Sequence, residues 1–269
     1  MTIKEVKKSY REERRRHKRA YKKEKRIRKK EYRLKIASLK DQHITDIAEA
    51  HARVGKRAPV NPPKRPLLEE IGNAVSHGLG AAFAIVSFIL MLIYSDTADE
   101  KISATVYFIG SFIMFLMSCL YHAFAYGLAV KRLFRRFDYS SIYLLIGSTF
   151  APVLISYIGG LFGFIFFVIQ WVIIVTGITL VGVFGPTRLK FIHNPLYILL
   201  GWSALLLAPT LLSREPSLFF WILGGGIAYT LGIIPFAMKS KVSHFIWHIF
   251  VLVGAVLQWI GIFIYVYLK

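Results

Sequence analysis

Seven long apolar stretches fill the chain from residue 67 onward and constrain its fold more than any other feature. Each runs for about 20–27 residues, the length that an α-helix needs to cross a hydrocarbon core of ~30 Å. Because a helix satisfies its own backbone hydrogen bonds in lipid, the pattern predicts an all-α, seven-transmembrane helix bundle. The predicted spans lie near residues 71–95, 102–125, 138–158, 161–183, 193–212, 217–237 and 242–268.

Charged residues are concentrated ahead of these stretches. Residues 1–66 hold 24 lysines and arginines and 8 acidic residues, a net charge of +16, which leaves only +4 of the total +20 for residues 67–269. Residues 1–54 contain no glycine or proline, so this extension can form a long basic helix, with disorder as the alternative. Four prolines in residues 58–66 then break the chain. We therefore predict a basic extension, 1–66, and a membrane domain, 67–269.

The basic extension has two possible partners. Its attachment to a membrane domain favours anionic lipid headgroups, because each lysine or arginine near a charged leaflet gains about 1 kcal/mol. Nucleic acid would also attract the charge, but the segment has no recognisable nucleic-acid-binding fold and no interleaved aromatic residues. We therefore expect lipid headgroups and disfavour nucleic acid, and the sequence names no protein partner.

The polar breaks between spans predict the orientation. Breaks after the second, fourth and sixth spans are basic, whereas those after the first, third and fifth are acidic or nearly neutral. Positive charge collects on the cytoplasmic side, so we expect a cytoplasmic N-terminus and an external C-terminus. The N-terminus is a run of charges rather than a signal peptide, which predicts that the first span is retained.

Ionisable residues within the spans are the main functional candidates, because burying them in a membrane is costly. His77 lies near the start of the first span and His122 near the end of the second. Asp138 opens the third span, and His244 and His248 open the seventh. With the predicted orientation, all five fall at one depth near the cytoplasmic side.

The spacing of these histidines indicates a metal site. His244 and His248 are four residues apart, so one helix face presents both imidazoles to a single ion. His122 would supply a third imidazole and leave a fourth position for water, as in catalytic zinc sites. Asp138 could hold that water or take its proton, and Ser118 lies one turn before His122. A lone histidine at a span end is more often interfacial, and we interpret His193 as an interfacial or helix-start residue.

Four ordered motifs resemble those of a known family, the hemolysin III branch of the progestin and adipoQ receptor family. The motifs are Glu70-x2-Asn73-x3-His77, Ser118-x3-His122, Asp138-Tyr139-Ser140 and His244-x3-His248. The resemblance covers residues 67–269 and excludes the basic extension. It implies a seven-helix bundle with an intracellular N-terminus, in the plasma membrane of a bacterial cell.

The resemblance also implies a zinc ion bound by His122, His244 and His248, and an aspartate at Asp138 that holds a zinc-bound water. Glu70, Asn73 and His77 would orient these groups or form hydrogen bonds in the core. Eukaryotic members of the family are receptors with ceramidase-like hydrolase activity. The bacterial branch carries a hemolysin name and is linked to membrane-lipid homeostasis.

Three functions follow from these observations. The first is a zinc-dependent hydrolase of a lipid amide or ester bond, or a sensor of lipid homeostasis. The second is a membrane-lytic or pore-forming protein, as the hemolysin name suggests, and the third is a receptor whose zinc is structural. The sequence does not select a substrate.

Overall fold

A computed structural model describes residues 3–53, 61–238 and 240–268, and these fall into two units, Met1–Val60 and Asn61–Lys269. The first unit contains helix α1, Ile3–Arg53, so the prediction of a long basic helix is confirmed for these residues. Its exposed surface carries pairs one turn apart, such as Arg28 with Glu24 at 2.6 Å. Part of the predicted proline break, residues 58–60, lies outside the described residues.

The second unit is built from helices alone in its described residues. In chain order they are α2 (Leu67–Ile93), α3 (Ala98–Ala123), α4 (Ala129–Ala151), α5 (Gly160–Phe184), α6 (Lys190–Trp202), α7 (Ala208–Arg214), α8 (Pro216–Ala237) and α9 (Ser243–Ile262). π-Helical turns extend α4 over Pro152–Ile158 and α9 over Phe263–Tyr267, and a 3₁₀ turn, Ser203–Leu207, joins α6 to α7. With α6 and α7 forming one span, the described residues contain seven spans that are long and apolar enough to cross a membrane, as predicted.

The start of the third span is where the sequence prediction was wrong. Helix α4 begins at Ala129, nine residues before the predicted start at 138, so the basic residues 131–136 form its first turns rather than a loop. Gly127, with a φ of 87°, makes the turn that precedes it. Residues 128–146 contain no glycine or proline, and the basic side chains find partners, such as the carbonyl of Gly182, 2.9 Å from Arg136.

The helices pack as a ring. Helix α2 lies between α3 and α9, α4 packs on α3, and α6 and α8 complete the circuit back to α9, while α5 packs against α4 and α6. Helices α2, α4, α6 and α9 begin at one end of the bundle, where α3, α5 and α8 finish. We call this the basic end, because it carries Lys131, Arg132, Arg135, Arg136 and Arg188.

Within this ring of helices, polar side chains lie inside and large apolar side chains face outward. Ser103, Ser111 and Ser148 lie inside it and are each at most 2% exposed. Large apolar side chains face outward instead, with Phe164 63% and Val172 62% exposed on α5. A water-soluble protein rarely exposes an apolar surface of this extent, so these side chains contact membrane lipid. The protein is therefore an integral, multi-pass membrane protein.

Small residues set the close approach of α3 and α4. A Cβ atom added at Gly110 would stand 2.2 Å from Oγ of Ser148 and 2.6 Å from the backbone oxygen of Leu144. Only glycine fits such an approach between two helix backbones. The contact fixes α3 against α4, and it thereby helps to position the residues that lie between it and the basic end, which follow Gly110 on α3 and precede Ser148 on α4.

Candidate metal centre

Three histidines meet inside the basic end of the bundle. His122 comes from the last turn of α3, and His244 and His248 come from the first turns of α9. One ring nitrogen from each lies within 4.8 Å of the others. His122 and His248 are 3% and 2% exposed, and His244 is partly buried. The predicted convergence of these three residues on one depth is therefore present in the structure.

The spacing of the nitrogens suits a zinc ion. Nε2 of His122 and Nε2 of His244 are 3.3 Å apart. Two nitrogens bound to one tetrahedral zinc, each at 2.0–2.1 Å, would also stand about 3.3 Å apart. Three imidazoles are also a donor set found in catalytic zinc sites with one open position. The residues present therefore fit zinc.

A carboxylate orients the imidazole of His122. Its Nδ1 lies 2.6 Å from Oε2 of Glu70 and 3.3 Å from the amide nitrogen of Asn73, both on α2. A carboxylate only accepts hydrogen bonds, so Nδ1 carries the proton and donates a hydrogen bond to Glu70. This leaves Nε2 free to bind a metal. This carboxylate–histidine arrangement is common around protein-bound metals.

Lys131 is a site residue that the sequence analysis missed. Its Nζ lies 2.9 Å from Oε1 of Glu70 and 2.9 Å from the backbone oxygen of Phe124, and it sits 4.9 Å from the ring centre of Tyr121. The side chain is only 1% exposed. Lys131 therefore connects α4 through Glu70 to His122. The predicted spans left Lys131 in a basic loop between the second and third spans, where a lysine side chain would be exposed to water.

His77 lies beside the three histidines but outside their group. Its ring stacks on His248, with centroids 3.7 Å apart, and meets the edge of Phe115 at 5.3 Å. Neither ring nitrogen of His77 has a hydrogen-bond partner among the residues that the structure describes. His77 therefore packs against the imidazole of His248 and is not itself a member of the three-histidine group.

Asp138 and Ser118 face one another across the same region. Asp138 is partly buried in α4, and the Ser118 hydroxyl, 1% exposed, lies beside its carboxyl group. The contact does not meet hydrogen-bond geometry, and Ser118 Oγ has no other partner in the described part of the chain. Asp138 is not a member of the three-histidine group.

A cavity of about 230 Å³ begins at these residues and extends through the bundle. Asp138, His77, His244 and His248 line its basic end. Along α4 its wall continues from Asp138 to Val153, about 22 Å at 1.5 Å per residue. Apolar side chains dominate the rest of its lining, including Leu145, Ile146, Phe150, Leu207, Phe219 and Ile222. The centre thus adjoins a long apolar space.

His193 takes no part in this centre. It lies at the start of α6, as the sequence analysis expected, but it is buried at 1% exposure instead of interfacial. Its Nδ1 is 2.9 Å from the hydroxyl of Tyr143 on α4. His193 therefore joins two helices, and it offers a buried histidine for comparison with the three in the centre.

Comparison with known proteins decides the family. The family model described as "Haemolysin-III related" matches residues 66–259, which include every residue of the centre. The chain belongs to the hemolysin III family. The boundaries of the match leave the basic helix α1 outside the hemolysin III region, as the motifs predicted.

Relatives of this hemolysin III protein span bacteria and mammals. It is 34% identical to "Hemolysin-3" of Bacillus cereus over 203 residues, covering 74% of this chain and 92% of that protein. It is 29% identical to the "Hemolysin-3 homolog" of Bacillus subtilis (strain 168) over 202 residues, covering 73% and 94%. It is 27% identical to the human "Monocyte to macrophage differentiation factor" over 219 residues, covering 78% and 90%. The resemblance to the hemolysin III branch is confirmed.

Replacing Lys131 with methionine is expected to weaken zinc binding by roughly 10–100-fold, the usual cost of losing a group that orients a metal ligand. Without the ammonium, Glu70 loses one of its two contacts and holds His122 less firmly. Zinc affinity is measured by competition with a chelator of known affinity. Arg132→Met, a change of charge one residue away, should leave the affinity near that of the wild type. Equal losses in both variants would contradict the role of Lys131.

Proposed function

We propose that this hemolysin III protein is a zinc-dependent membrane hydrolase that cleaves an amide or ester bond of a lipid. One observation carries the proposal: three imidazoles converge, and two of them, with the carboxylate of Asp138, line the polar end of a long apolar cavity. A lipid chain fits the apolar part of such a cavity, and its carbonyl group would then lie beside the polar end. His122, His244 and His248 would hold the zinc.

Zinc bound by these histidines would polarise the carbonyl of the substrate and make a water molecule more acidic. Asp138, which lines the same cavity as His244, accepts a proton from that water as its oxygen adds to the carbonyl carbon. Ser118 donates a hydrogen bond from its otherwise unpartnered hydroxyl, either to Asp138 or to the oxygen that gains charge.

The second half of the reaction returns the proton. Asp138 gives it to the leaving nitrogen or oxygen as the carbon–nitrogen or carbon–oxygen bond breaks. The products are a carboxylic acid and an amine or an alcohol, and Asp138 ends in its starting state. Glu70 and Lys131 take no proton in this scheme, since they hold His122 in one orientation.

The hydrolase proposal is tested with purified protein of full zinc content in liposomes. A panel of ceramides, glycerolipids and phospholipids is incubated with it, and released fatty acid is measured by mass spectrometry. We expect release from at least one class, and chelation should abolish it. Absence of release from the whole panel at full zinc occupancy would remove the hydrolase and leave the lipid sensor.

A membrane-lytic activity is the second candidate, and the name "Hemolysin-3" of the Bacillus cereus relative favours it. A lytic protein must leave the cell that makes it and enter another membrane. Seven spans that stay in the membrane of the producing cell oppose that route. The test applies the purified protein to red cells: lysis at nanomolar concentration would favour the toxin over the hydrolase.

We propose that the basic end of the bundle faces the cytoplasm, as the distribution of positive charge predicts. Asp96, exposed at the opposite end between α2 and α3, would then face the outside. A cysteine placed there in a Cys119→Ala background should react with a membrane-impermeant maleimide in intact cells. Reaction only after lysis would reverse the orientation.

We further propose that α1 binds anionic lipid headgroups, on the basis of its charge. Hydrogen exchange of α1 in nanodiscs should slow when phosphatidylglycerol is added to phosphatidylcholine. Equal exchange in both membranes would contradict this binding.

A further inference from the structure

Two arginines at the basic end have buried guanidinium nitrogens that nothing in the described chain satisfies. Nε of Arg65 and Nε of Arg135 are both buried and have no hydrogen-bond partner there. Arg135 as a whole is 8% exposed, and the side chain of Arg65 is 20% exposed. Burying part of a cation without partners is costly, so such donors usually meet an acceptor.

The contacts that these arginines do make are long. Nη1 of Arg65 lies 3.5 Å from a carboxylate oxygen of Glu69, and Nη1 of Arg135 donates to the backbone oxygen of Asn61 at 3.4 Å. Within the described ranges, no carboxylate lies close enough to Arg135 to form an ion pair. Both guanidinium groups therefore retain donors for another molecule.

Arg65 lies at the end of the cavity that adjoins the candidate centre, and Arg135 lies directly behind that end, against Tyr139. Arg65 lines the cavity together with Asp138 and Tyr139. The guanidinium of Arg135 lies over the ring of Tyr139, 5.7 Å from its centre. Each arginine is near enough to interact electrostatically with the carboxyl group of Asp138. The cavity is thus cationic at one end, carries the candidate centre next to it, and is apolar beyond.

Membrane orientation alone does not explain this burial. Positive charge near a span end directs topology whether or not it is buried, and an exposed residue serves that purpose. Arg136 does so: it is exposed and its guanidinium donates to a backbone oxygen at 2.9 Å. Arg65 and Arg135 differ from Arg136 in being turned into the protein with donors unmet.

We propose that Arg65 and Arg135 bind the phosphate of an anionic lipid whose acyl chain lies in the apolar part of the cavity. A guanidinium matches the oxygens of a phosphate with paired hydrogen bonds, which makes arginine the usual residue for this task. In a phospholipid the phosphate, the ester carbonyl and the chain follow one another, as do the arginines, the metal centre and the apolar wall. The inference names a phospholipid as the substrate class of the proposed hydrolase and rests on that function.

The test measures lipid binding in full-length protein carrying Asp138→Asn, so that the probe is not consumed. A pyrene-labelled phosphatidylglycerol is followed by energy transfer from tryptophan, since Trp202 and Trp247 line the cavity. Unlabelled phosphatidylglycerol and a diacylglycerol with the same chains compete for it. We expect phosphatidylglycerol to compete at least about tenfold better than diacylglycerol. The double variant Arg65→Gln, Arg135→Gln should lose this preference while binding diacylglycerol as strongly as before.

The controls separate this site from general attraction of anionic lipid. Helix α1 is present in every sample, so its contribution is the same throughout. Arg136→Gln removes a nearby exposed charge and should keep the full preference. If it abolishes the preference equally, or if the Asp138→Asn protein with both arginines intact shows no preference, the site is refuted. Displacement of the labelled lipid by millimolar inorganic phosphate alone would also refute it, in favour of a site for free phosphate.

The test remains informative even when the Arg65→Gln, Arg135→Gln double variant fails to fold. Zinc content and thermal unfolding are measured on each sample, and the single change Arg65→Gln, at the less buried arginine, should lower the preference on its own. A properly folded Arg65→Gln variant with the full preference would contradict the proposal. Because binding is read without turnover, failure of lipid hydrolysis in the wild type would leave this result intact.

Discussion

Replacing His244 with alanine should leave the purified protein without zinc. The change removes the Nε2 that stands 3.3 Å from Nε2 of His122, and only two imidazoles remain to hold the ion. Loss of a group that merely orients a ligand costs roughly 10–100-fold in affinity, so loss of the ligand itself should cost more than about 100-fold. Elemental analysis of protein purified alongside the wild type gives the zinc content.

His193→Ala is the matched control for this change. It also removes a buried histidine, but this histidine is hydrogen-bonded to Tyr143 and lies outside the centre. Its zinc content should equal that of the wild type. After chelation of the metal, the wild type and His244→Ala should unfold at similar temperatures. The loss of zinc then reflects the missing imidazole and not a damaged fold. Full zinc occupancy in His244→Ala would refute the three-histidine site.

Replacing Asp138 with asparagine should abolish hydrolysis while zinc remains bound. Asparagine keeps the shape of the side chain but cannot accept a proton from water, and general base catalysis commonly contributes 10²–10⁴-fold. We therefore expect kcat to fall by at least about 10²-fold, with zinc content unchanged because Asp138 is not among the three grouped residues. Fatty-acid release and zinc content are measured on the same preparation.

This variant separates the enzyme from a receptor with structural zinc. Such a receptor should keep its function after Asp138→Asn, since its metal and its fold are both retained. Asp99→Asn provides the control: Asp99 is an exposed acid in the first turn of α3, at the opposite end of the bundle. Its hydrolysis rate should match the wild type. A comparable rate in Asp138→Asn would exclude a catalytic role for that carboxylate.

Much of this architecture was predictable because a membrane simplifies the physical problem. Span length, the cost of burying charge and the sign of the flanking residues together predicted seven helices and brought His122, His244 and His248 to one depth. The i, i+4 spacing of His244 and His248 added a shared helix face. These arguments need only distances along a helix and across a bilayer.

Contacts between helices were less predictable. Lys131 was treated as a loop residue because its charge suggested solvent, and its burial against Glu70 depends on α2 and α4 both packing on α3. Among Gly224–Gly226, a tripeptide that suggests close helix packing, only Gly225 meets another helix, at Gly254. Which small residue meets which helix depends on rotation within the bundle, and apolar runs such as these specify that rotation poorly.

The contact between α2 and α9, the first and last spans, bears on how the protein is made. Two of the three histidines and the helix that closes the ring are synthesised last, long after His122 and Glu70 have entered the membrane. A ribosome that stops before α9 releases a chain with a single member of the ligand set. With the proposed metal bound by all three histidines, a chain that retains it has inserted α9, and a cell that removes metal-free chains would also remove chains truncated before α9.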